Sequence, residues 1–293
     1  MPGGKTYTST LNDSLPTMIG AARQVREFEG VMSQLVDKKT LGRNIGLTWN
    51  EISLAQLTAQ GVTETQELDN PQAITDTLFS ITPTVVGIQT FVSDRVKSRI
   101  ARPVVSQMGS LGQNAIQRKK DEDGITVLDG ATTSLCGAGT TLTQGHIQAA
   151  TRRITSNATE PANKPFRAVL HGFQIKDIED ALRAGVGTYD ITSDGLTARV
   201  FKEHFEGMVG SAQLYEDGNI TIDSSTDDAK GGVFARDAIV LVQGRSPWNE
   251  TRREPHIGGG GDSIFLYDEF AYGERSSGNW LYEILSDAST PTS

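Results

Sequence analysis

The sequence predicts an α+β protein organised around one long helix, and three observations lead there. Residues 91–120 carry Val92, Val96, Ile100, Val104, Met108, Leu111 and Ala115 at steps of three and four, the spacing that lines one face of a 3.6-residue helix. β-rich stretches such as TVVGIQTF (84–91), FRAVLH (166–171) and SIFLYDEFAYG (263–273) lie on both sides of it without regular alternation with helices. Glycine is frequent, 31 of 293 residues, and the apolar share without glycine is 37%. Many turns follow, and a chain that leaves part of its burial to assembly.

In chain order, residues 1–16 are polar and rich in Gly, Thr and Ser, which suits an extended arm. Ile19, Ala22, Val25, Phe28, Met32 and Leu35 share a helical face, so a helix is expected over 17–38. Residues 45–82 read as a long two-stranded hairpin: Asp69-Asn70-Pro71 is a turn signal, and 74–81 has a strand-like density of Ile, Thr, Leu and Phe. An isolated hairpin is marginally stable in water, so it needs a surface to lie on. The long helix can be capped by Ser93 or Asp94, which accept from the free N–H groups of a first turn. Arg118, Lys119 and Lys120 suit its negative end, and Gly124 is expected to stop it. At roughly 1.5 Å per residue the rod is about 40–45 Å long. Pro103 predicts a kink near 100–102.

The remainder reads as ordinary globular α/β. A short strand is expected at 125–128, a Gly/Thr/Ser loop at 129–141 and a helix capped by Thr143 over 144–154. A strand at 166–171, a short helix at 176–184 and a helix or mixed segment at 198–205 follow. Strands are expected at 208–214 and 218–222, a polar loop at 224–232, a strand at 238–242 and an irregular stretch at 246–261. Strands at 263–273 and 280–284 close the chain.

The net charge of −9 excludes a general polyanion binder. Basic residues still cluster at Arg95, Lys97, Arg99 and Arg102, at Arg152-Arg153 and at Arg252-Arg253. The single Cys136 excludes an intramolecular disulfide and a thiolate metal cluster. No run approaches the ~18 apolar residues of a membrane helix, and the N-terminal stretch lacks a secretory pattern. The protein is therefore expected to be made and used without crossing a membrane.

Catalytic patterns are not met. His146, His171, His204 and His256 lie outside any HExxH spacing. His204-Phe205-Glu206 matches half of a zinc-deaminase signature whose other half needs two cysteines. Gly210-Ser211 fails the GxSxG pattern at Gln213. The glycine run at 258–261 lacks a strand-then-helix frame. Asp121-Glu122-Asp123, Asp227-Asp228 and Asp268-Glu269 read as solvated acidic pairs. No catalytic, cofactor or metal site is expected, and the chain does not read as an enzyme.

One charge asymmetry stands out. Residues 50–78 contain Glu51, Glu64, Glu67, Asp69 and Asp76 and no lysine or arginine. Such an acidic arm beside a basic helix suggests electrostatic docking of Glu51, Glu64, Glu67 and Asp69 on a neighbour's Arg95, Arg99 and Arg102 or on another basic patch.

This succession of arm, hairpin excursion, long helix with β segments, α/β insert and terminal strands resembles the major capsid protein of tailed bacteriophages, the Hong Kong 97-like fold. The stretches GGVFARDAIVLVQGR (231–245) and SIFLYDEFAYGERSSGNWLYEIL (263–285) are also similar in texture. The resemblance covers the whole chain and rests on consistency across levels, since no short invariant motif exists. It implies an N-terminal arm and helix at 1–44, an extended β-hairpin loop at 45–80 and a peripheral domain with the spine helix at 81–130. It further implies an axial domain at 131–245 and return strands of the peripheral domain at 246–293. In function it implies self-assembly into pentamers and hexamers of an icosahedral shell around double-stranded DNA that is touched weakly. Portal and possible scaffold or decoration proteins would be partners, no cofactor is needed, and the place is the virion after synthesis in the host bacterial cytoplasm. A cargo-compartment shell of the same fold is the alternative, and a hydrolase with an unrecognised acidic site a more distant one. Some members cross-link through a loop lysine; residues 50–78 have none, so no such bond is expected there. Because Met1 directly precedes the arm, a separate scaffold, none, or a mature form is expected.

Overall fold

Two β-sheets share one long helix. The structure, a computed structural model, describes residues 5–6, 28, 30–42, 44–65, 71–99, 102–186, 208–276 and 278–292, with the side chains of 5–6, 102–108 and 182–186 excepted. The first sheet has the order β1 (Lys5–Thr6), β5 (Thr84–Ser93), β12 (Gly261–Glu274), β11 (Ile239–Arg253) and β2 (Asp37–Thr40). β12 runs antiparallel to both of its neighbours, β5 and β11, and β1 and β2 join the edges in parallel. β2 reaches only residues 240–243 of β11, so among the described residues β11 is an open edge from there to Arg253.

The second sheet runs β6 (Ser134–Cys136), β13 (Leu281–Asp287), β10 (Asp228–Ala235), β7 (Phe166–Leu170), β9 (Ala212–Glu216), β8 (Met208–Val209). Its central strands are buried almost without alternation, as expected of strands covered on both faces. Helix α4 (Gln144–Thr155) covers one face with Ile147, Ala150 and Ile154, packing on β10, β13 and β9. α5 (Gly172–Val186) packs beside α4. β3 (Trp49–Leu54) and β4 (Asp76–Ile81) form a separate antiparallel hairpin.

α1 (Met32–Leu35) and α2 (Asp94–Arg99) are short, and α3 (Arg102–Asp129) is the long helix. Ser93 Oγ accepts the Val96 N–H at 3.3 Å, the cap read from the sequence. α3 packs on β12 and β5 of the first sheet and on β10 and β13 of the second. Its inward residues step by four: Gly112, Ile116, Lys120, Gly124 and Leu128. Leu111, expected inward, is 39% exposed, and Ala115 is only half-buried. The face is displaced because the helix is seated on its glycines. A Cβ at Gly112 would stand 2.4 Å from Leu266 Cδ1, and one at Gly124 2.8 Å from Met32 Cβ. Gly124 is thus a close-approach residue inside the helix rather than its stop. The strand expected at 125–128 is the last turn of α3, closed by Gly130 N–H on Thr126 C=O at 3.1 Å. Residues 91–92, expected in the helix, belong to β5. The kink expected near Pro103 falls at residues 100–101, outside the described residues.

Other expectations are corrected for local reasons. Of the helix over 17–38 the described part is α1 alone, after which the chain turns into β2 on the β11 edge; residues 17–27 lie outside the described residues. The 224–232 loop is half strand, since β10 starts at Asp228 and Gly231 fits where a Cβ would meet Val169 C=O at 2.4 Å. The 208–214 strand breaks at Gly210-Ser211, both at positive φ. Residues 218–222 contribute only the bridge Ile222–Ala229. The irregular 246–261 stretch is strand as far as Arg253, because register shifts between Gln243 and Trp248 break the alternation. β6 forms within the 129–141 loop. Among the strands of 246–293, expected to return to one unit, β13 instead enters the second sheet, where Leu281, Tyr282 and Ile284 are buried. The segment 198–205 and His204 lie outside the described residues.

Candidate assembly interface

The hairpin is fixed at its root and bare beyond it. Trp49 meets Phe79 edge-on at 6.1 Å, and both pack with Ile81, Val240 and Val242. Arg275 locks this root. Its Nη2 lies 2.9 Å from Asp37 Oδ2, its Nε donates to Glu51 Oε2 at 3.0 Å and its Nη1 to Asp237 C=O at 2.6 Å. Burial alone would raise the Asp37 carboxyl, but hydrogen bonds from Arg275 and Lys39 outweigh it and hold the pKa below the ordinary value. Past β3 and β4 the two arms stay joined: Ala55 N–H bonds Thr75 C=O at 2.9 Å, and Thr58 and Gln72 bond reciprocally at 2.9 and 2.5 Å. Yet Ile52, Leu54, Leu57, Ile74 and Leu78 are each more than half exposed. A row of large apolar side chains on a two-stranded ribbon is the mark of a surface made to be covered.

The predicted contact residues divide into three groups. Glu51 belongs to the root through Arg275. Glu64 is exposed on the free part, whereas Glu67 and Asp69 lie outside the described residues. Arg95 and Arg99 are exposed on α2, and the Arg102 side chain lies outside the description. Lys97, from the same basic cluster, pairs within the chain with Asp262, which also meets Arg253 at 3.3 Å. Arg253 Nη1 in turn donates to Asp94 at 2.7 Å. These four charges neutralise one another, leaving Arg95 and Arg99 as the outward cations of α2. Within the chain, no ion pair among the described residues joins the hairpin carboxylates to Arg95 or Arg99.

Three acids read as solvated are buried. Asp268 is fully buried, Asp121 is 2% and Asp228 6% exposed. Lys120 Nζ lies 2.9 Å from Asp268 Oδ2, donates to Gln243 Oε1 at 2.8 Å and stands 4.7 Å over the Phe270 ring. Gln243 Nε2 donates back to Asp268 Oδ1 and to the carbonyls of Arg245 and Glu269 at 2.9 and 3.1 Å. This cluster joins α3 to β11 and β12. The signal was present: Leu266, Phe270 and Tyr272 flank Asp268 in steps of two, which puts it on the inner face of β12.

Two of the histidines serve local geometry. His146 Nδ1 accepts the Thr143 N–H at 3.2 Å, closing the start of α4. His171 Nδ1 accepts the Phe173 N–H at 3.2 Å, and burial lowers its pKa. Among the described residues, no three or more His, Cys, Asp or Glu side chains are grouped to hold a metal.

No protein-family model matches the chain, and no curated protein matches its sequence. Solved structures do match. A capsid chain of cyanophage P-SCSP1u is 13% identical with a TM-score of 0.69, covering 99% of this chain and 97% of that one. A capsid chain of Ralstonia phage GP4 is 12% identical with a TM-score of 0.70, covering 97% and 98%. An encapsulin of Synechococcus elongatus is 10% identical with a TM-score of 0.62, covering 93% and 94%. From end to end, with its spine α3 laid across two sheets and its hairpin standing free, this chain has the Hong Kong 97-like fold of tailed-phage capsids.

Proposed function

We propose that this chain is a major capsid protein that assembles as pentamers and hexamers into an icosahedral shell around the double-stranded DNA of a tailed bacteriophage. The observation that carries the reading is the likeness to phage capsid chains over 97–99% of both chains. The bare hairpin supports it, because its apolar row is exposed in the single chain and another copy would cover it. In this reading 1–44, 45–80, 81–130, 131–245 and 246–293 act as arm, extended loop, spine-bearing domain, axial domain and return strands, with β13 reassigned as above. Glu64, Glu67 and Asp69 dock near Arg95, Arg99 or Arg102 of a neighbour. The negative net charge keeps the inner wall from holding packed DNA tightly. A portal protein would be a partner, with scaffold or decoration proteins as optional ones, and the chain would reach the virion after synthesis in the bacterial cytoplasm.

Electron microscopy of the purified chain tests the proposal. Closed shells, or rings of five and six, are expected; a monomer under every salt and concentration condition overturns it. The encapsulin likeness supports a second reading, a compartment shell filled with protein cargo. Nucleic acid inside native particles selects the virion, and protein cargo without nucleic acid selects the compartment.

A further inference from the structure

Two carboxyl groups meet beneath the segment that leads into α1. Asp121 of α3 is 2% exposed, and Asp217, in the turn after β9, is fully buried. Asp121 accepts the Met32 N–H through Oδ1 and the Asn219 amide through Oδ2, both at 2.9 Å. Asp217 accepts the Asn219 N–H through Oδ1 at 2.9 Å, while its Oδ2 is buried without a donor. Asn219 ties the two side chains together, its N–H on Asp217 and its side-chain amide on Asp121. Gly30 closes over them, where a Cβ would stand 2.1 Å from Asp121 Cγ.

Neighbouring charges are committed elsewhere. On α3, Lys120 holds Asp268 at 2.9 Å, Asp123 holds Lys119 at 2.6 Å and Arg118 approaches Glu122 at 3.7 Å. From β12 the Tyr272 hydroxyl, buried without a partner, faces the cluster, its pKa raised by burial and then by Asp121, Asp123 and Asp268. Glu216 at the end of β9 and His171 between β7 and α5 adjoin the turn, where Asp217 N–H bonds Leu170 C=O at 2.9 Å. Residues 28 and 30–36 carry no titratable side chain. Among the described residues no ammonium or guanidinium pairs with either carboxyl.

Two carboxyl groups bound to one asparagine, closed off from water and without a counter-charge among the described residues, do not both stay ionised. A proton on Asp217 satisfies its empty Oδ2. Burial, then the hydrogen bond and charge of Asp121, raise the Asp217 carboxyl to about 7, against the opposing Asn219 and Val31 N–H groups.

We propose that the Asp121–Asp217 pair is a proton latch that holds the root of the N-terminal segment on α3. With the proton in place, α3, the 217–219 turn and the Met32 N–H form one unit. Its loss places two negative charges in a closed site and drives residues 30–32 off the helix. The folded pKa is raised above the unfolded value of 3.8, so the latch is fully engaged below that value and is lost as pH rises through about 7.

Amide hydrogen exchange of the full chain, corrected for intrinsic rate, tests this from about pH 5.5 to about pH 8.5. Peptides over residues 30–36 should lose roughly tenfold or more of their protection across that window, while β13 stays constant. Asp217→Asn keeps a hydrogen bond to Asp121 without a titrating proton, so its profile should be flat. Constant protection of 30–36 in the parent, a loss shared with β13, or the parent's pH dependence in the variant would overturn the latch. If the variant does not fold, the comparison of 30–36 with β13 in the parent decides alone.

Discussion

Lys120→Met removes an ammonium and keeps most of its stem. In the parent the Lys120 side chain is 9% exposed and that of Asp268 0%. After the change Asp268 Oδ1 still has Gln243 Nε2 and the Glu269 N–H, but Oδ2 has lost its donor. Gln243 Oε1 loses a donor as well, and the Phe270 ring loses the cation above it. Removing one partner of a buried pair leaves an uncompensated charge and costs about 3–5 kcal/mol, roughly two to four powers of ten in the folding equilibrium. Replacing both partners together, as in Lys120→Met with Asp268→Leu, leaves no such charge, and Gln243 keeps the carbonyls of Arg245 and Glu269. The double variant should therefore lie within about 1–2 kcal/mol of the parent. Urea unfolding of the unassembled chain, followed by tryptophan fluorescence, measures both midpoints. A single variant that loses less than about 1 kcal/mol, or a double variant as damaged as the single, would refute the reasoning.

Three further outcomes are expected. Gly124→Ala gains about 1 kcal/mol of helix propensity but pushes a methyl to 2.8 Å from Met32 Cβ and 3.3 Å from Tyr272 Cζ. A net loss of roughly 1–2 kcal/mol in thermal unfolding should follow, whereas Gly109→Ala, with nothing within 4 Å, should be neutral or stabilising. Arg275→Met should cost about 1.5–3 kcal/mol by freeing Asp37 and Glu51. Because the Asp37 pKa is lowered, its share of that stability is present above the unfolded carboxylate value and lost as pH falls through the folded one. Thermal midpoints of parent and variant should accordingly converge in acid. Glu64→Lys combined with Glu67→Lys should lower shell yield by light scattering at low salt and less so at high salt, as charges more than about 10 Å apart are screened at 0.1 M; equal yield at all salt concentrations removes electrostatic docking.

The long helix, the hairpin and most of the strand-rich stretches were legible because periodicity and turn residues announce them locally. The inward face of α3 was not. It is Gly112, Ile116, Lys120, Gly124 and Leu128, and only two of these five look like core. Close approach selects the glycines, and the lysine is admitted by a carboxylate on a distant strand. Asp121, Asp228 and Asp268 were misjudged for one reason: they were read against their sequence neighbours, whereas burial is decided by the face of the helix or strand they occupy. β10 hid behind paired glycines whose value lies in what they leave room for. The order of elements carried the whole-chain likeness, and at 12–13% identity to the phage capsids it survives almost without shared residues.

The outer edge of β11 has a consequence of its own. An unpaired strand edge is a template on which any other strand can grow. A chain whose proposed work is to associate through its hairpin must not also polymerise through this edge. Pro247 withholds a donor there, Glu250, Arg252 and Arg253 stud it with charge, and the register shifts before Trp248 twist it out of line. The edge is thereby guarded against fibre growth, and ordered assembly is left to the hairpin, where specificity resides in side chains.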